Sequence, residues 1–354
     1  MRKKVLFLYG GRSVEHEISI RSAKNVLQHL NKELFEADII GISRNGSWYR
    51  MPEVREDIES GEPLSLGLSC TKPEFISENS AFAPQVVFPI LHGTDGEDGS
   101  IQGLLASFAI PFVGSGVLGS AISMDKIISK QILREADIPT SDFFTYQKDQ
   151  RESISFEEVE DVLGLPFMVK ASNLGSSVGI SKVTQKGQFE DALDDAFRYA
   201  SRILIEQYIE GMEVECAIIG NGDIQSTWPG EIHIKKDYDF YTYDAKYKDP
   251  DAIEMVVPAP LPESIQRRVR DLSEQAYKVL RCQDYARVDV FVSKEEKVYV
   301  NEINTIPGFT SASMFPVMWE NMGLEYPDLI THLINLALER ELMAGSPERT
   351  YDRA

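Results

Sequence analysis

Four polar residues interrupt a stretch that otherwise reads as a β-hairpin, RVDVFVSKEEKVYVNEINTIPG at residues 287–308. Val288, Val290, Val292, Val298, Val300 and Ile303 supply the apolar side chains of a sheet, and Arg287, Asp289, Glu302 and Asn304 break the run. A turn centred on Glu295 and Glu296 sets Asp289 opposite Glu302 and Arg287 opposite Asn304. Side chains alternate faces with a period of two, so all four polar groups share one face. Like charges directly opposed across a strand pair repel, and something positive must sit between the two carboxylates. Divalent cations carried by a nucleotide meet that need, because a metal ion bridging phosphates is held by one or two carboxylates plus substrate oxygens. Asp289, Glu302 and Asn304 are therefore candidate metal ligands. A solvent-facing polar face with an ion pair to Arg287 is the plainer alternative.

A second candidate is the glycine-rich stretch VKASNLGSSVGISKV at residues 169–183. Small residues allow backbone N–H groups close to a polyphosphate, and Ser176 and Ser177 add donors. A P-loop or a dinucleotide-binding turn would feed a helix with GxxxxGK[ST] or GxGxxG. This loop joins two strands instead, which suits a flap over phosphates; an ordinary turn would explain the same glycines. Lys126 on the preceding helix and Lys170 on the entering strand add positive charge, and Glu206 and Glu213 follow downstream.

The elements that must carry these groups fall into three regions. The first opens with a strand at residues 5–9, then Gly10-Gly11, then the helix signal SVEHEISIRSAKNVLQHL and a strand ADIIGIS. A polar, loop-like stretch at 53–84 leads to an apolar strand QVVFPIL, the segment HGTDGEDGS, a helix near 101–108 and a short strand PFVG. This β/α alternation predicts a parallel sheet with function at the carboxyl ends of its strands. The second region starts with one helix, SMDKIISKQILREA, stopped before Pro139. It continues through FMVKA, the glycine-rich loop, GISKV, a helix near 189–200 and a strand ILIEQYI. The third is mixed: a strand EVECAII, a tyrosine-rich loop, a helix near 262–280 and the hairpin.

The chain has 354 residues, 43% hydrophobic and 26% charged, enough for two or three globular domains. A net charge of −20 argues against nucleic acid or an anionic membrane as a partner. Cys70, Cys216 and Cys282 are scattered with no CxxC, as expected in a reducing compartment. The apolar run near the first residue is too short for a signal-peptide core, so a cytoplasmic location is expected.

These motifs, in this order and spacing over essentially the whole length, resemble the D-alanine–D-alanine ligases of the ATP-grasp superfamily. The likeness is carried by LYGGRSVEHEIS, LHGTDGEDGSIQG, SMDKIISK, VKASNLGSSVGISKV, YTYDAKY, RVDVF and NEINTIPGFTSASMFP. Ala171 departs from the family's usual proline, and Gln207 from its usual lysine. The resemblance implies an α/β fold, α+β in the C-terminal part, of three domains: a Rossmann-like N-terminal domain (1–122), a central ATP-grasp domain (123–210) and a C-terminal ATP-grasp domain (211–354). It also implies ligation of two D-alanines at the expense of ATP, through an acyl phosphate, for peptidoglycan precursors. A ligase making D-alanyl-D-lactate, or another ATP-grasp carboxylate–amine ligase, is the alternative.

By the same resemblance Lys126, Lys170 and Lys246 contact phosphates, along with Ser176 and Ser177 of the loop. Two Mg²⁺ or Mn²⁺ lie on Asp289, Glu302 and Asn304. Adenosine sits against Glu206, Gln207 and Ile209, with Glu213 on the ribose. Arg287 and the Gly308 N–H stabilise the tetrahedral oxyanion. Glu15 and His92 fix the first D-alanine, and Ser313 with Met314 the carboxylate of the second. Tyr247 closes over the site, joins Ser176 and Glu15 in a hydrogen-bonded triad, and favours an amine acceptor. A homodimer is expected. A dehydrogenase reading of the first region fails because YGGRSVEHE lacks GxGxxG, and a non-catalytic nucleotide-binding relative would have lost Arg287 or a metal ligand.

Overall fold

The computed structural model describes residues 2–67, 74–78, 81–175, 179–234, 253–310 and 313–344. Ser176, Ser177, Lys246, Tyr247 and Cys70, named above, lie outside the described residues.

The first region builds a five-stranded sheet around the buried strand Lys3–Gly10. That strand pairs in parallel with Phe35–Ile42 on one side and Val86–Ile90 on the other. Trp48–Arg50 and Glu62–Pro63 extend the sheet antiparallel at its edge. Near-continuous burial of VLFLYG and VVFPI is what a parallel sheet covered on both faces requires. The PFVG segment makes only a single parallel bridge, Phe112 to Val87. The polar stretch expected as loop carries short strands as well. Ser65–Leu66, Phe75–Ile76 and Ala81–Phe82 form a small antiparallel sheet in which Phe75 stacks between Trp48 and Phe82. Strands of two residues leave almost no periodic signal in a sequence.

At Gly10 and Gly11 the backbone turns with φ of 91° and 95°, a region side chains disfavour. A Cβ on Gly10 would strike the Ile42 carbonyl, so the turn can hug the neighbouring strand only with glycine. It delivers the chain into the helix His16–Gln28, with Glu15 at its N-cap position.

The segment read as one helix, SMDKIISKQILREA, is divided. One helix, Val117–Met124, ends at Asp125, and a second, Lys126–Glu135, begins there. Asp125 adopts extended angles and its carboxylate accepts from the Ile127 and Ile128 N–H groups, the role that suits aspartate at an N-cap. The second helix packs beside a four-stranded antiparallel sheet ordered Ile180–Val183, Phe167–Ala171, Arg202–Gln207, Phe143–Gln147. The core of that unit, which includes Phe156, Phe167 and Phe189, is its own.

The third region centres on a six-stranded sheet in which Gly211–Ile219 lies antiparallel to Tyr285–Ser293, which pairs in turn with Val298–Asn304. The helix Glu263–Val279 covers one face. The other face shares a core with the first region: Ala217, Ile219, Tyr285, Phe309 and Trp319 pack with Phe7, Tyr9 and Phe88, closed over by the helix Tyr326–Ala344. Helix Met314–Asn321 lies in this core.

Candidate active site

The hairpin places Asp289 opposite Glu302 and Arg287 opposite Asn304, the pairing read from the sequence. It reaches that pairing by a different route. Ser293 and Lys297 close a three-residue loop in which Glu296 has φ 60°, so the strand leaves the turn with Val290 opposite Val300. A β-bulge then absorbs Asn301 and shifts the register by one before Glu302. Continued regularly from this turn, the ladder would have turned Glu302 and Asn304 into the core. The buried positions 298, 300 and 303, which break the period of two, are the bulge's trace in the sequence.

The positive partners demanded by the opposed carboxylates are present in the chain. Arg287 donates from Nε to Asp289 Oδ1 at 2.6 Å and from Nη2 to Oδ2 at 2.7 Å, and its Nε is also 3.0 Å from Glu215 Oε2. Glu215 faces Asp289 from the neighbouring strand. Asn304 Nδ2 donates to Asp289 Oδ2 at 3.0 Å. Lys126 Nζ lies 3.1 Å from Glu302 Oε2 and donates to the Leu174 carbonyl at 2.9 Å, which ties the helix to the start of the glycine-rich loop. Burial alone would weaken the Arg287 charge; Asp289 and Glu215 outweigh it and push the guanidinium well above its ordinary value. Asp289 and Glu302 with the Asn304 amide form a hard oxygen donor set suited to Mg²⁺ or Mn²⁺. Among the described residues no three His, Cys, Asp or Glu side chains could hold a metal ion by themselves. A shell built here would need further oxygens, from water or a ligand, to complete it.

A second cluster lies deeper, between the helix Lys126–Glu135 and the central sheet. Glu206 is 1% exposed and forms ion pairs with Lys170 through Oε1 and with Lys130 through Oε2, the latter at 2.8 Å. Ser141 Oγ also donates to Oε2 at 2.8 Å, and Lys130 donates to Thr140 Oγ1 at 2.8 Å and Ser141 Oγ at 3.0 Å. Burial would raise the Glu206 carboxyl, but the two ammonium groups hold it far below the usual range. Gln207 ends the same strand, its N–H donating to the Asp142 carbonyl at 2.9 Å. Ile209 is half-buried just beyond, and Glu213 is exposed opposite Phe291, close enough for its charge to act on Lys170.

The third group sits at the carboxyl ends of the first sheet's strands. His92 is buried, its Nδ1 3.0 Å from the Ile306 carbonyl and its Nε2 3.0 Å from Ser22 Oγ. Burial favours the neutral ring and pulls its pKa below the ordinary imidazole value, although the Glu15 carboxylate acts in the opposite direction. The Glu15 carboxylate lies against Gly93 and Gly175: a Cβ on Gly93 would collide with it, and one on Gly175 would come within 3.2 Å. Glu15 thus meets the glycine-rich loop one residue before Ser176. Glu97 accepts from the Gly93 N–H at 2.9 Å, and burial together with the Glu15 charge pushes its carboxyl well above the usual range. The chain at 305–310 is pinned to the first helix. The Phe309 N–H donates to Ser22 Oγ at 3.4 Å, and Asn25 and Tyr326 donate to the Phe309 carbonyl at 2.8 and 2.6 Å. Gly308 approaches Ser313 so closely that a Cβ would lie 2.8 Å from its Oγ. The Ser313 hydroxyl is engaged by Thr310, while the Met314 side chain is buried against Gly230, which leaves Met314 only its backbone to offer a ligand.

Residues 4–115 match the family model described as "D-ala D-ala ligase N-terminus", and residues 132–335 match "D-ala D-ala ligase C-terminus". The chain belongs to the D-alanine–D-alanine ligase family. It is 44% identical over 351 residues to D-alanine–D-alanine ligase A of Escherichia coli K12, covering 95% of this chain and 96% of that one. It is 43% identical over 353 residues to the D-alanine–D-alanine ligase of Shouchella clausii, covering 96% and 95%. Among solved structures, the D-alanine–D-alanine ligase of Coxiella burnetii superposes with a TM-score of 0.85 at 35% identity, covering 97% of both chains. The VanG D-Ala:D-Ser ligase of Enterococcus faecalis gives 0.86 at 31%, covering 95% of this chain and all of that one. The α/β ATP-grasp architecture expected from the resemblance is therefore the fold of this family member.

Reading the sequence of this family member singled out neither Lys130, Glu215 nor Glu97. Lys130 had a visible signal, since it lies four residues after Lys126 and so on the same helical face. Glu215 had the alternation of its strand. Glu97 sits inside the quoted LHGTDGEDGSIQG motif, where nothing local distinguishes it from Asp98.

Proposed function

We propose that the protein joins two D-alanines into D-alanyl-D-alanine with cleavage of ATP to ADP and phosphate, supplying peptidoglycan precursors in the cytoplasm. The observation that carries the reading is the convergence of three groups: the Arg287–Asp289–Glu302–Asn304 hairpin, Lys126 paired with Glu302, and Glu15 with His92, whose ring is within reach of the Glu15 and Arg287 charges.

A carboxylate oxygen of the first D-alanine attacks the γ-phosphorus, the bond to ADP breaks, and an acyl phosphate forms. Lys126, Lys170 and Lys246, with Ser176 and Ser177, hold the phosphates in line for that displacement, and Glu206, Gln207, Ile209 and Glu213 hold the adenosine. Asp289, Glu302 and Asn304 would hold two divalent cations, Mg²⁺ or Mn²⁺, which would supply neutralisation of the phosphate charge. Arg287 and Lys126, paired to Asp289 and Glu302, lie at the edge of the same cluster. Glu15 accepts from the ammonium of the first D-alanine, and the neutral His92, fixed by Ser22 and Ile306, orients it. The amine of the second D-alanine, its carboxylate at Ser313 and the Met314 backbone, attacks the acyl carbon. Arg287 and the Gly308 N–H stabilise the oxyanion, and phosphate leaves as the amide forms. Tyr247, with Ser176 and Glu15, shields the acyl phosphate from water. The domains are taken as 1–122, 123–210 and 211–354, and the protein as a homodimer. No described helix is long and apolar enough to cross a membrane.

The test is mass spectrometry of products after incubation with ATP, Mg²⁺, D-alanine and equal amounts of D-serine and D-lactate, with phosphate release followed in parallel. D-alanyl-D-alanine forming in step with phosphate is the expected outcome. A dominant D-alanyl-D-serine or depsipeptide would overturn the acceptor assignment, and no D-alanine-dependent phosphate release would overturn the reaction.

A further inference from the structure

The Lys130–Glu206–Lys170 cluster contains one carboxylate and two ammonium groups, all buried. Burying an unpaired charge is costly, so a cluster with a surplus cation needs a reason to exist. The two lysines differ in freedom. Lys170 extends from the strand that enters the glycine-rich loop and, among the described residues, meets Glu206 through one contact at Oε1. Lys130 is clamped: its ammonium group donates to Thr140 and Ser141 and lies against Glu206 Oε2, while Ser141 donates to the same oxygen. Lys130 therefore has all its donors satisfied inside the protein, whereas Lys170, among the described residues, is paired only with Glu206.

We infer that Lys130 is a positioning residue for purine recognition, a permanent counter-ion that keeps Glu206 in place and ionised when Lys170 turns from it to the incoming nucleotide phosphates. This rests on the proposed adenosine role of Glu206 and phosphate role of Lys170. The surplus cation is then an exchangeable one: phosphate takes Lys170, and the pair left behind, Lys130 and Glu206, is neutral. An ionised Glu206 accepts from the exocyclic amine of adenine and repels the carbonyl that replaces it in hypoxanthine. With Lys130 gone, Lys170 is the counter-ion left to Glu206 among the described residues, and nucleotide binding must break that pair.

The experiment is steady-state kinetics with ATP and ITP on wild type, Lys130→Met, Glu206→Gln and the double variant, with thermal melting of each. Lys130→Met is expected to raise KM for ATP about tenfold and to narrow the ATP-over-ITP preference, with kcat and KM for D-alanine within about twofold. Glu206→Gln is expected to narrow the preference too, and adding Lys130→Met to it should change KM for ATP less than about twofold further. Equal losses in kcat and in both KM values, or an effect of Lys130→Met undiminished in the Glu206→Gln background, would overturn the inference and leave Lys130 a packing residue. An unchanged ATP-over-ITP preference in Glu206→Gln would instead overturn the adenine reading of Glu206 on which the inference rests. Lys130→Gln, which retains a donor without the charge, replaces Lys130→Met should the latter not fold, with the same expected outcome.

Discussion

Arg287 is surrounded by Asp289, Glu215 and, further off, Glu302, and in the proposed reaction it stabilises the developing oxyanion. Replacing it by methionine should lower kcat by at least about a hundredfold, the scale of losing a charge-stabilising donor, while ATP affinity measured by calorimetry changes only a few-fold. Removing one partner of a buried ionic group also leaves Asp289 and Glu215 facing each other, a loss of roughly 3–5 kcal/mol in stability. Arg287→Lys, which keeps a charge without the planar fork, should recover most of the stability and little of the rate. Lost nucleotide affinity with unchanged turnover would contradict the assigned role. Tyr247→Phe should loosen selectivity for an amine over a hydroxyl acceptor, and an unchanged ratio of D-alanyl-D-alanine to D-alanyl-D-lactate would remove Tyr247 from that role.

At the scale of elements, the division of one expected helix into two puts Lys126 at the first position of a new helix instead of in the middle of a long one. Asp125 makes the division: its Oδ1 caps two N–H groups and its Oδ2 is paired with Arg202 of the central sheet. Asp125→Ala should therefore cost about 1 kcal/mol in stability from the cap and raise KM for ATP by tilting Lys126 away from Leu174 and Glu302. A stability loss with KM unchanged would show that Lys126 is aimed by its own contacts alone. The SMDK segment carried the signal, since aspartate just before an apolar-periodic run is an N-cap signature. The hairpin shows the reverse case. Opposition of Asp289 to Glu302 was legible, but through a turn one residue out of place, and the bulge at Asn301 compensates.

Across the whole molecule, Asp284 joins the first and third regions. Fully buried, it accepts from the Gly114 N–H and from Asn221, and its Oδ2 lies 2.9 Å from Arg340 Nη1. Arg340, on the last described helix, also donates to the Phe112 and Gly114 carbonyls. Burial pushes the Asp284 carboxyl up to about 6 from an ordinary 3.8, with Arg340 opposing. The folded state then binds this proton more tightly than the unfolded state, so Asp284's contribution to stability falls as pH rises from about 4 to about 6. The full gap corresponds to roughly 3 kcal/mol. The stability difference between wild type and Asp284→Asn, read from urea unfolding, should shift against wild type by about that amount between pH 4 and pH 7. A difference independent of pH would mean that Arg340 fully offsets burial.

Local order determined much of this protein: the strand and helix alternation of the first region, the hairpin and its polar face, the glycine-rich loop between strands, and the motif series that marks the family. These features rest on period, turn chemistry and spacing, all of which act over a few residues. Tertiary structure alone decided which charges neutralise which. Lys126 meets Glu302 across 176 residues, Glu206 takes both Lys130 and Lys170, and Asp284 finds Arg340, because burial makes each unpaired charge costly and only the assembled fold brings the partner within reach.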